Sequence, residues 1–470
     1  MFSNKDLDIK LQKLLFTVFV AAMVWVFIPT PSGLSAKAWH MLIIFVFSMA
    51  SIMMEIANSC TVLFMSLLAA SLTGTIDIKH GQGFSGFTSF VPWLLFFILS
   101  LSKAITRSTI GIRIAYIFMK TFGKGIVGLS YSISLTEMVT APILPSNTAR
   151  AASIGFPLVS SLSKHISENI KGVSEKSVGA FLSLLYAHSN AICSCMFLTG
   201  MISNALIVEF AEKINVKLTW ISWLQYTIVP CAVLLAILPI ILKFLCNVKV
   251  QKLENIREIA NKNYKDLGPL NQTEKLIILI FCVMLLMWVF ADVIGIQIIT
   301  TTLMGLCLFL MLGILDIKEM LSSDKAVNSF IMLGLLISYV TCLIDFGAIN
   351  WFNNIISEAI KVGNPTIALY VLSILYFFAH YFFSGEASRI VALYAPFLAT
   401  GVALGIDKLQ LVMTLAVFSS LSDVLSHYTC PSAITMFSAG YVSVKKWMSV
   451  GILMGCICMA TWFLYLLVIS

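Results

Sequence analysis

The sequence predicts an all-α, polytopic membrane protein built from two repeats. Three observations lead there. Of 470 residues, 59% are hydrophobic and 11% charged, with a mean hydropathy of +0.96; soluble domains sit near half apolar and a quarter charged. Apolar runs approach or exceed the roughly 20 residues that a spanning helix needs, as in Leu14–Ile28, Met41–Met54, Trp220–Leu245, Leu276–Phe290 and Val450–Ile469. They are too long and too unalternating for an outer-membrane barrel. Finally, polar interruptions in the first half recur in the same order in the second.

Taken in order, residues 1–38 hold a short Lys-bearing segment and the first span. The "SAKAW" that follows resembles a signal-peptidase site faintly, but the polytopic remainder favours an uncleaved helix. Residues 39–242 form the first repeat. Residues 243–275 are the longest polar segment, with more Lys and Arg than Asp and Glu. Basic loops lie inside, so this linker and the N-terminus are placed on the cytoplasmic side. Residues 276–470 form the second repeat. No Arg/Ser-rich leader points to an organelle, and the expected location is the bacterial cytoplasmic (inner) membrane. The net charge of +8 is scattered over short loops, which argues against nucleic acid as a partner. The eleven Cys fall in apolar runs without zinc-site spacing, and read as small buried hydrophobes.

The internal repeat is one of order more than identity. In the first half "LSKAITRSTIGIRIAYIFMKTFGKG" precedes an apolar stretch and then "SNTARAASIGFPLVSSLS". In the second, "SYVTCLIDFGAINWFNNIISEAIKVGNP" precedes an apolar stretch and then "SGEASRIVALYAPFLATG". Gly111 stands 35 positions before Ser146, and Gly347 stands 37 before Ser384. Pro157 and Pro396 follow the two clusters by 11 and 12 positions. Each half has a second interruption further on, at Ser189–Ile207 and Ser419–Tyr441. Paired interrupted segments in corresponding places point to a transporter's binding site.

Irregular backbone at membrane depth survives only where protein covers it or water reaches it. Pro142, Pro145 and Pro157 each remove an amide donor, so the first cluster reads as a re-entrant hairpin with its tip at Ser146-Asn147-Thr148. Free N–H groups and the positive dipole end of a half-helix suit an anion there, and nearby carbonyls suit a cation.

These residues resemble a family. "PSNTARAASIGFPLVSSLS" is similar to the Ser-Asn-Thr signature of the divalent anion/sodium symporter family. More narrowly, it resembles the branch of bacterial citrate/succinate exchangers and plastid 2-oxoglutarate/malate translocators. "PTPSGLSAKAWHML", "GFSGFTSFVPWLL", "FLTGMISNALI" and "SHYTCPSAITMFSAGYV" extend the resemblance along nearly the whole chain. It implies two inverted-topology repeats, each with a hairpin and a broken helix, in about eleven transmembrane helices. It also implies a carboxylate held between the two tips, and Na⁺ behind each tip in sodium-coupled members. Carried over by position, Ser146, Asn147 and Thr148 match the first tip, and Ser384, Gly385 and Glu386 stand at the second. Ser146, Asn147, Gly200 and Gly385 are the candidate cation-site residues. No cofactor is expected, with Na⁺ or H⁺ as the coupling ion. Membrane lipid and a second copy, as a homodimer, are the expected partners besides a small organic anion.

The second tip departs from the family pattern. Aligned on its serine, it puts a carboxyl, Glu386, in the place of the Thr148 hydroxyl. An ionised Glu386 would repel a dianion, so it is either protonated, paired with Arg389 or Arg150, or turned away, or the substrate is not an ordinary dianion. Arg150, Arg389, His380, Asp423 and His427 are the further candidates for charge or proton coupling. Asp423 and His427 are spaced i, i+4, and His titrates near neutrality. Glu55 and Glu137 read as structural acids, as do Asp292 and Asp345 near helix ends.

The leading reading is a secondary transporter for di- or tricarboxylates, working by exchange or cation symport through alternating access. An alternative is a proton-coupled carrier of another small metabolite using Glu386. The sequence has no phosphate-binding loop, no HExxH and no GxSxG, which argues against ATP drive and against an intramembrane enzyme; no catalytic residue is assigned. A channel suits the paired half-repeats less well than alternating access.

Overall fold

A computed structural model describes residues 4–54, 56–170, 173–246, 256–348, 351, 364–383 and 385–469. The chain folds into helices because unbroken apolar runs leave the backbone to satisfy itself, and in lipid a helix does so within one segment. The first elements are α1 (Asn4–Phe27), α2 (Ala36–Met53), α3 (Ser59–Leu72), a 3-10 turn (Gln82–Thr88) and α4 (Phe90–Thr106). Then come α5 (Ile110–Phe122), α6 (Gly125–Thr140), α7 (Asn147–Arg150), a π-helical turn (Ala151–Gly155), α8 (Phe156–Asn169) and α9 (Glu175–Met196). A 3-10 turn (Leu198–Gly200), α10 (Asn204–Glu212) and α11 (Trp220–Cys246) close the first half.

The second half opens with α12 (Ile256–Asp266), α13 (Gln272–Val289), α14 (Ala291–Ile294), α15 (Ile298–Met311), α16 (Ile317–Leu321) and α17 (Asp324–Asp345). It continues with α18 (Pro365–Phe378), a 3-10 turn (Ala379–Phe382), α19 (Glu386–Arg389), a π-helical turn (Ile390–Tyr394), α20 (Ala395–Ala403) and α21 (Lys408–Leu421). A 3-10 turn (Ser422–Val424), α22 (Pro431–Ser438) and α23 (Val444–Ile469) finish the chain.

Among the described residues, six helices are long and apolar enough to cross a membrane: α9, α11, α13, α17, α18 with its 3-10 extension, and α23. The Gln82–Thr88 turn and α4 form a seventh candidate, bent by 53°. Shorter apolar helices lie in α1, α2, α3 and α15. The outer helices present bare hydrophobics such as Phe16, Phe19, Phe244, Leu279, Leu464 and Val468. Water would punish that surface and lipid does not.

The helices sort by packing. α2, α3, α4 and the Gln82–Thr88 turn pack on α17, and α4 and α13 pack on α15. This group forms a scaffold. A second group gathers around α9, which touches α6, α8, α11, α21 and α22. Every residue of α9 from Val178 to Met196 is buried, as is every residue of α21 from Leu411 to Leu421. Two close approaches need glycine. A Cβ on Gly86 would lie 2.1 Å from the Gly334 carbonyl of α17, and one on Gly155 would lie 2.3 Å from the Tyr186 ring. The first docks the 3-10 turn on the scaffold; the second lets the π-helical turn sit against α9.

The segment read as a linker is partly helical. Residues 243–246 end α11, and α12 packs on α5. Arg113 of α5 donates to the carbonyls of Leu267 and Gly268 at 2.9 and 2.7 Å. The Asn271–Glu274 capping box then starts α13. Residues 247–255 and Glu55 lie outside the described residues.

Candidate functional site

The two tips share a plan that the structure aligns differently from the sequence. In the first half, helix α6 ends at Thr140, and Pro142 and Pro145 lie in the break. Ser146 caps the new turn, its Oγ accepting from the Ala149 N–H at 3.2 Å. The four-residue turn Asn147–Arg150, the π-helical turn and α8 with Pro157 follow. In the second half, Gly385 occupies the cap position, and the turn Glu386–Arg389, a π-helical turn and α20 with Pro396 follow. Ser146 therefore pairs with Gly385, Asn147 with Glu386, and Arg150 with Arg389. Matching the two serines is off by one, because the second helical turn begins one residue later. Glu386 stands where the first tip has the Asn147 amide, not the Thr148 hydroxyl. Ser384 lies outside the described residues.

Behind the first tip, Arg150 is fully buried and makes four charge-assisted hydrogen bonds. Its Nε donates to Glu137 Oε2 at 2.9 Å, Nη1 to the Leu144 and Gly200 carbonyls at 2.6 and 2.8 Å, and Nη2 to Ser194 Oγ at 2.8 Å. Glu137 in turn accepts from Tyr186 Oη and, at 3.0 Å, from Asn190 Nδ2. Asn190 Nδ2 also reaches the Asn147 carbonyl at 3.2 Å. A buried pair is destabilising to break when its remaining lone pairs are satisfied in this way. Arg150 thus ties together the hairpin, α6 and the broken segment after α9.

Behind the second tip, Arg389 is equally buried. It donates to Ser422 Oγ and, at 2.5 Å, to the Ser419 carbonyl of α21. Its counterpart to Glu137 is missing: ten positions before Asn147 stands Glu137, but ten before Glu386 stands Tyr376. The Tyr376 ring centroid lies 6.0 Å from the guanidinium, and its hydroxyl meets Ser419 Oγ at 2.7 Å. Arg389 Nε has no hydrogen-bond partner among the described residues. The nearest carboxylate is Asp423, at 3.8 Å.

Between the tips lies a cavity of about 480 Å³ lined by Asn147 and Thr148 on one side and Gly385, Glu386 and Ser388 on the other. The scaffold closes it with Asn58, Ser59 and Cys60 at the start of α3 and with Asn328 and Ser329 of α17. The tips touch each other: Asn147 Nδ2 donates to Glu386 Oε2 at 3.3 Å. Ser203 Oγ, from the first broken segment, donates to Glu386 Oε1 at 2.5 Å. A carboxylate oxygen of Glu386, one of Asp423 and the sulfur of Cys430 lie within 4.8 Å of one another. Two like charges at that separation repel by about 3–4 kcal/mol at an effective dielectric of 20.

Of the residues singled out in the sequence, Asn147, Thr148, Gly385 and Glu386 come together at the cavity. Ser146 does not line it; its hydroxyl is engaged in the cap. Gly200 does not offer a free carbonyl; Arg150 takes it. Glu386 and Arg389 do not pair directly: Glu386 bonds to the other tip and to Ser203 instead. His380 is buried behind the second tip, its Nε2 engaged by Ser426 and Thr429 and its Nδ1 3.9 Å from Asp423. Asp423 and His427 do not form the expected pair. Helix α21 ends at Leu421 and the chain leaves helical geometry, so an i, i+4 spacing no longer shares a face, and the His427 ring packs on Phe437 at 4.3 Å. Glu137 has the structural role read for it. Asp345 is exposed and Asp292 borders a separate apolar cavity near Trp288. Sequence reasoning missed Ser203, Cys430 and the scaffold polar pairs Asn58-Ser59 and Asn328-Ser329. The signal for the last two was available, since both are adjacent polar residues within apolar surroundings.

The chain matches, over residues 8–469, the family described as the sodium:sulfate symporter transmembrane region. It is 33% identical to YflS of Bacillus subtilis (strain 168), which carries the name of a malate transporter, over 98% of this chain and 96% of that protein. It is 30% identical to the chloroplastic dicarboxylate transporter 1 of Spinacia oleracea, over 96% and 79%. It is 27% identical to the citrate/succinate antiporter of Escherichia coli (strain K12), over 95% of each. The solved structure of Neisseria gonorrhoeae MtrF, described with a class of antimetabolite efflux pumps, shares the fold at a TM-score of 0.56 and 12% identity, covering 99% of this chain and 94% of that one. Two interrupted helical hairpins around one cavity, in a chain matched from end to end, place this multi-pass membrane protein in the sodium:sulfate (divalent anion/sodium) symporter family, whose members are transporters and not enzymes.

Proposed function

We propose that this protein is a secondary active transporter of small dicarboxylates or tricarboxylates in the bacterial cytoplasmic membrane, and that it works by exchange. The names of its relatives support the carboxylate class. The observation that carries exchange is the guanidinium behind each tip. Carbonyls behind the tips, at Leu144 and the cation-site candidate Gly200 in the first and at Ser419 in the second, already accept from Arg150 and Arg389. A Na⁺ bound to those oxygens would meet the positive charge of a buried guanidinium, which disfavours it. The guanidiniums are part of the chain and are not released, so an empty carrier has no ion to leave behind and returns with a second anion bound.

In this reading Asn147, Thr148, Gly385 and Glu386 contact the substrate, and the jaws move as one body against the α2–α4, α13–α17 scaffold. Two inverted repeats on either side of residues 243–275, in about eleven spans, belong to this reading on the family resemblance, and the recurring order of elements supports the repeat. A homodimer belongs to the same reading on the family resemblance alone, and light scattering of the purified protein tests it.

Purified protein in proteoliposomes provides the test of exchange. Uptake of labelled malate, succinate and citrate should accelerate when an unlabelled carboxylate is inside, and should be unchanged when Na⁺ is replaced by choline. Uptake into empty vesicles that requires an inward Na⁺ gradient would select the sodium symport that the family description carries. Absence of counter-flow for every carboxylate would reject the substrate class.

A further inference from the structure

Glu386 is the one acid that the cavity meets at its tips, yet it is not alone. Behind it Asp423 and Cys430 complete a cluster whose three ligand-type atoms lie within 4.8 Å of one another, while neither Asp423 nor Cys430 lines the cavity. The charges around the cluster do not cancel. Arg150 is matched by Glu137 at 2.9 Å and contributes nothing forward. Glu386 and Asp423 are two carboxylates facing one guanidinium, that of Arg389. The other groups facing the pair are Asn147 from the first tip, Ser203 from the first broken segment, Cys430 from the second, Tyr376 from α18, and His380. His380 Nδ1 stands 3.9 Å from Asp423, beyond hydrogen-bond reach.

A second observation concerns Asp423 by itself. The residue is 5% exposed, and its Oδ1 has no hydrogen-bond partner among the described residues. A buried carboxylate oxygen left without a donor is costly. An oxygen of Glu386 lies within 4.8 Å of one of Asp423, and a proton on the Asp423 carboxyl would remove the repulsion between them. A metal ion suits the place less well. Asn147 Nδ2 already points at Glu386 Oε2 and at Cys430 Sγ, at 3.3 and 3.5 Å, and the Ser203 hydroxyl points at Glu386 Oε1. Donors, not open coordination positions, surround the cluster.

We propose that Glu386 and Asp423 share a single proton, held on the Asp423 carboxyl and donated to Glu386, so that the second jaw meets the substrate with one negative charge rather than two. The proton bonds to an oxygen of one carboxyl and is donated to an oxygen of the other, and Arg389 balances the single remaining charge. An acid at a jaw that closes on an anion is then no contradiction. It also assigns Asp423 as a positioning residue that acts through Glu386. The inference rests on the carboxylate-exchange reading for its kinetic consequence, but not for its spectroscopic one.

The sign follows from the charge. While the pair holds its proton the jaw is neutral and a dianion binds. As pH rises through the titration of the pair, the shared proton is lost and a second negative charge, uncompensated by Arg389, stands behind the substrate. KM for a dicarboxylate in proteoliposome exchange should therefore rise, by up to about tenfold per pH unit above that titration, with kcat changing less. In Asp423→Asn the second negative charge is gone, Glu386 stands against Arg389 alone at every pH, and KM should stay low and flat across the neutral range. The purified wild-type protein should also show a protonated-carboxyl C=O band in infrared pH titration that is absent from Asp423→Asn and from Glu386→Gln.

A wild-type KM slope that survives in Asp423→Asn would overturn the proposal. So would a wild-type infrared spectrum without that band. A stoichiometric metal ion in the purified protein that Asp423→Asn loses would overturn it in favour of a metal site. If the wild type exchanges no carboxylate but shows the band and loses it in both variants, the pair stands and the substrate class falls.

Discussion

The two jaws are built from the same parts and balanced in opposite ways. Each has a helix break, a cap, a four-residue turn ending in a buried arginine, a π-helical turn and a helix with proline at its start. In the first jaw the acid sits behind the tip: Glu137 meets Arg150 and leaves an uncharged amide, Asn147, facing the cavity. In the second jaw Tyr376 stands where Glu137 would, and the acid has moved to the front as Glu386. The same positions can therefore hold the same net charge while showing the substrate two different faces. Asymmetry in a repeat is where a common frame acquires its particular chemistry.

The largest expected effect breaks the balanced jaw. Arg150→Ala leaves Glu137 buried without its cation, which costs about 3–5 kcal/mol in comparable buried pairs. The variant should melt far below the wild type or fail to elute as a single species in detergent. Pairing it with Glu137→Gln should recover part of the loss. An unchanged melting point for Arg150→Ala would mean that the network behind the first tip is not structural.

Next in size is the contact between the jaws. Asn147→Ala removes both an amide that lines the cavity and the donor to Glu386. Exchange should fall by at least about tenfold, as expected for an unmade bond of about 1.5–3 kcal/mol to a charged group, while the melting point stays near that of the wild type. Normal uptake would remove the first tip from the site. Asn147→Asp should be worse still, because it places a second carboxyl against Glu386.

Ser146→Ala sharpens the comparison at the caps, where the second jaw manages with Gly385. Loss of the side-chain cap should cost about 1 kcal/mol, read as a modest fall in melting temperature with little change in substrate KM. A large rise in KM instead would bring the hydroxyl back to the substrate. The smallest effect is expected at His427, which packs on Phe437 away from Asp423. His427→Phe should leave the pH profile of exchange unchanged, and a shifted profile would restore the Asp423–His427 relay.

Much of this was legible in the chain. The broken segments stood out because prolines and adjacent polar residues interrupt lipid-soluble runs, and lipid tolerates that only at a site. What could not be read was register and partnership. Aligning the two tips on serine matched letters, but the helical turn in the second half starts after Gly385, so Glu386 takes the place of Asn147. The spacing of Asp423 and His427 suggested a shared helix face, but the helix ends between Leu421 and Ser422. The partners of Glu386 are 239 positions away at Asn147 and 183 away at Ser203, and no local pattern announces contacts at that distance.

The sequence by itself determined the membrane, the helices, the positions of both breaks and the presence of an unexpected acid at the second tip. These follow from hydropathy, from the missing amide of proline and from the cost of polar groups in lipid, all of which are local. The tertiary structure alone decided that Arg150 bonds directly to a carboxylate and Arg389 does not, that Ser146 and Gly200 are engaged away from the cavity, and that Glu386 meets Asn147 in front and Asp423 behind. Those outcomes depend on which distant side chains reach one buried charge, and a buried charge takes its character from the few groups within hydrogen-bond reach rather than from its neighbours along the chain.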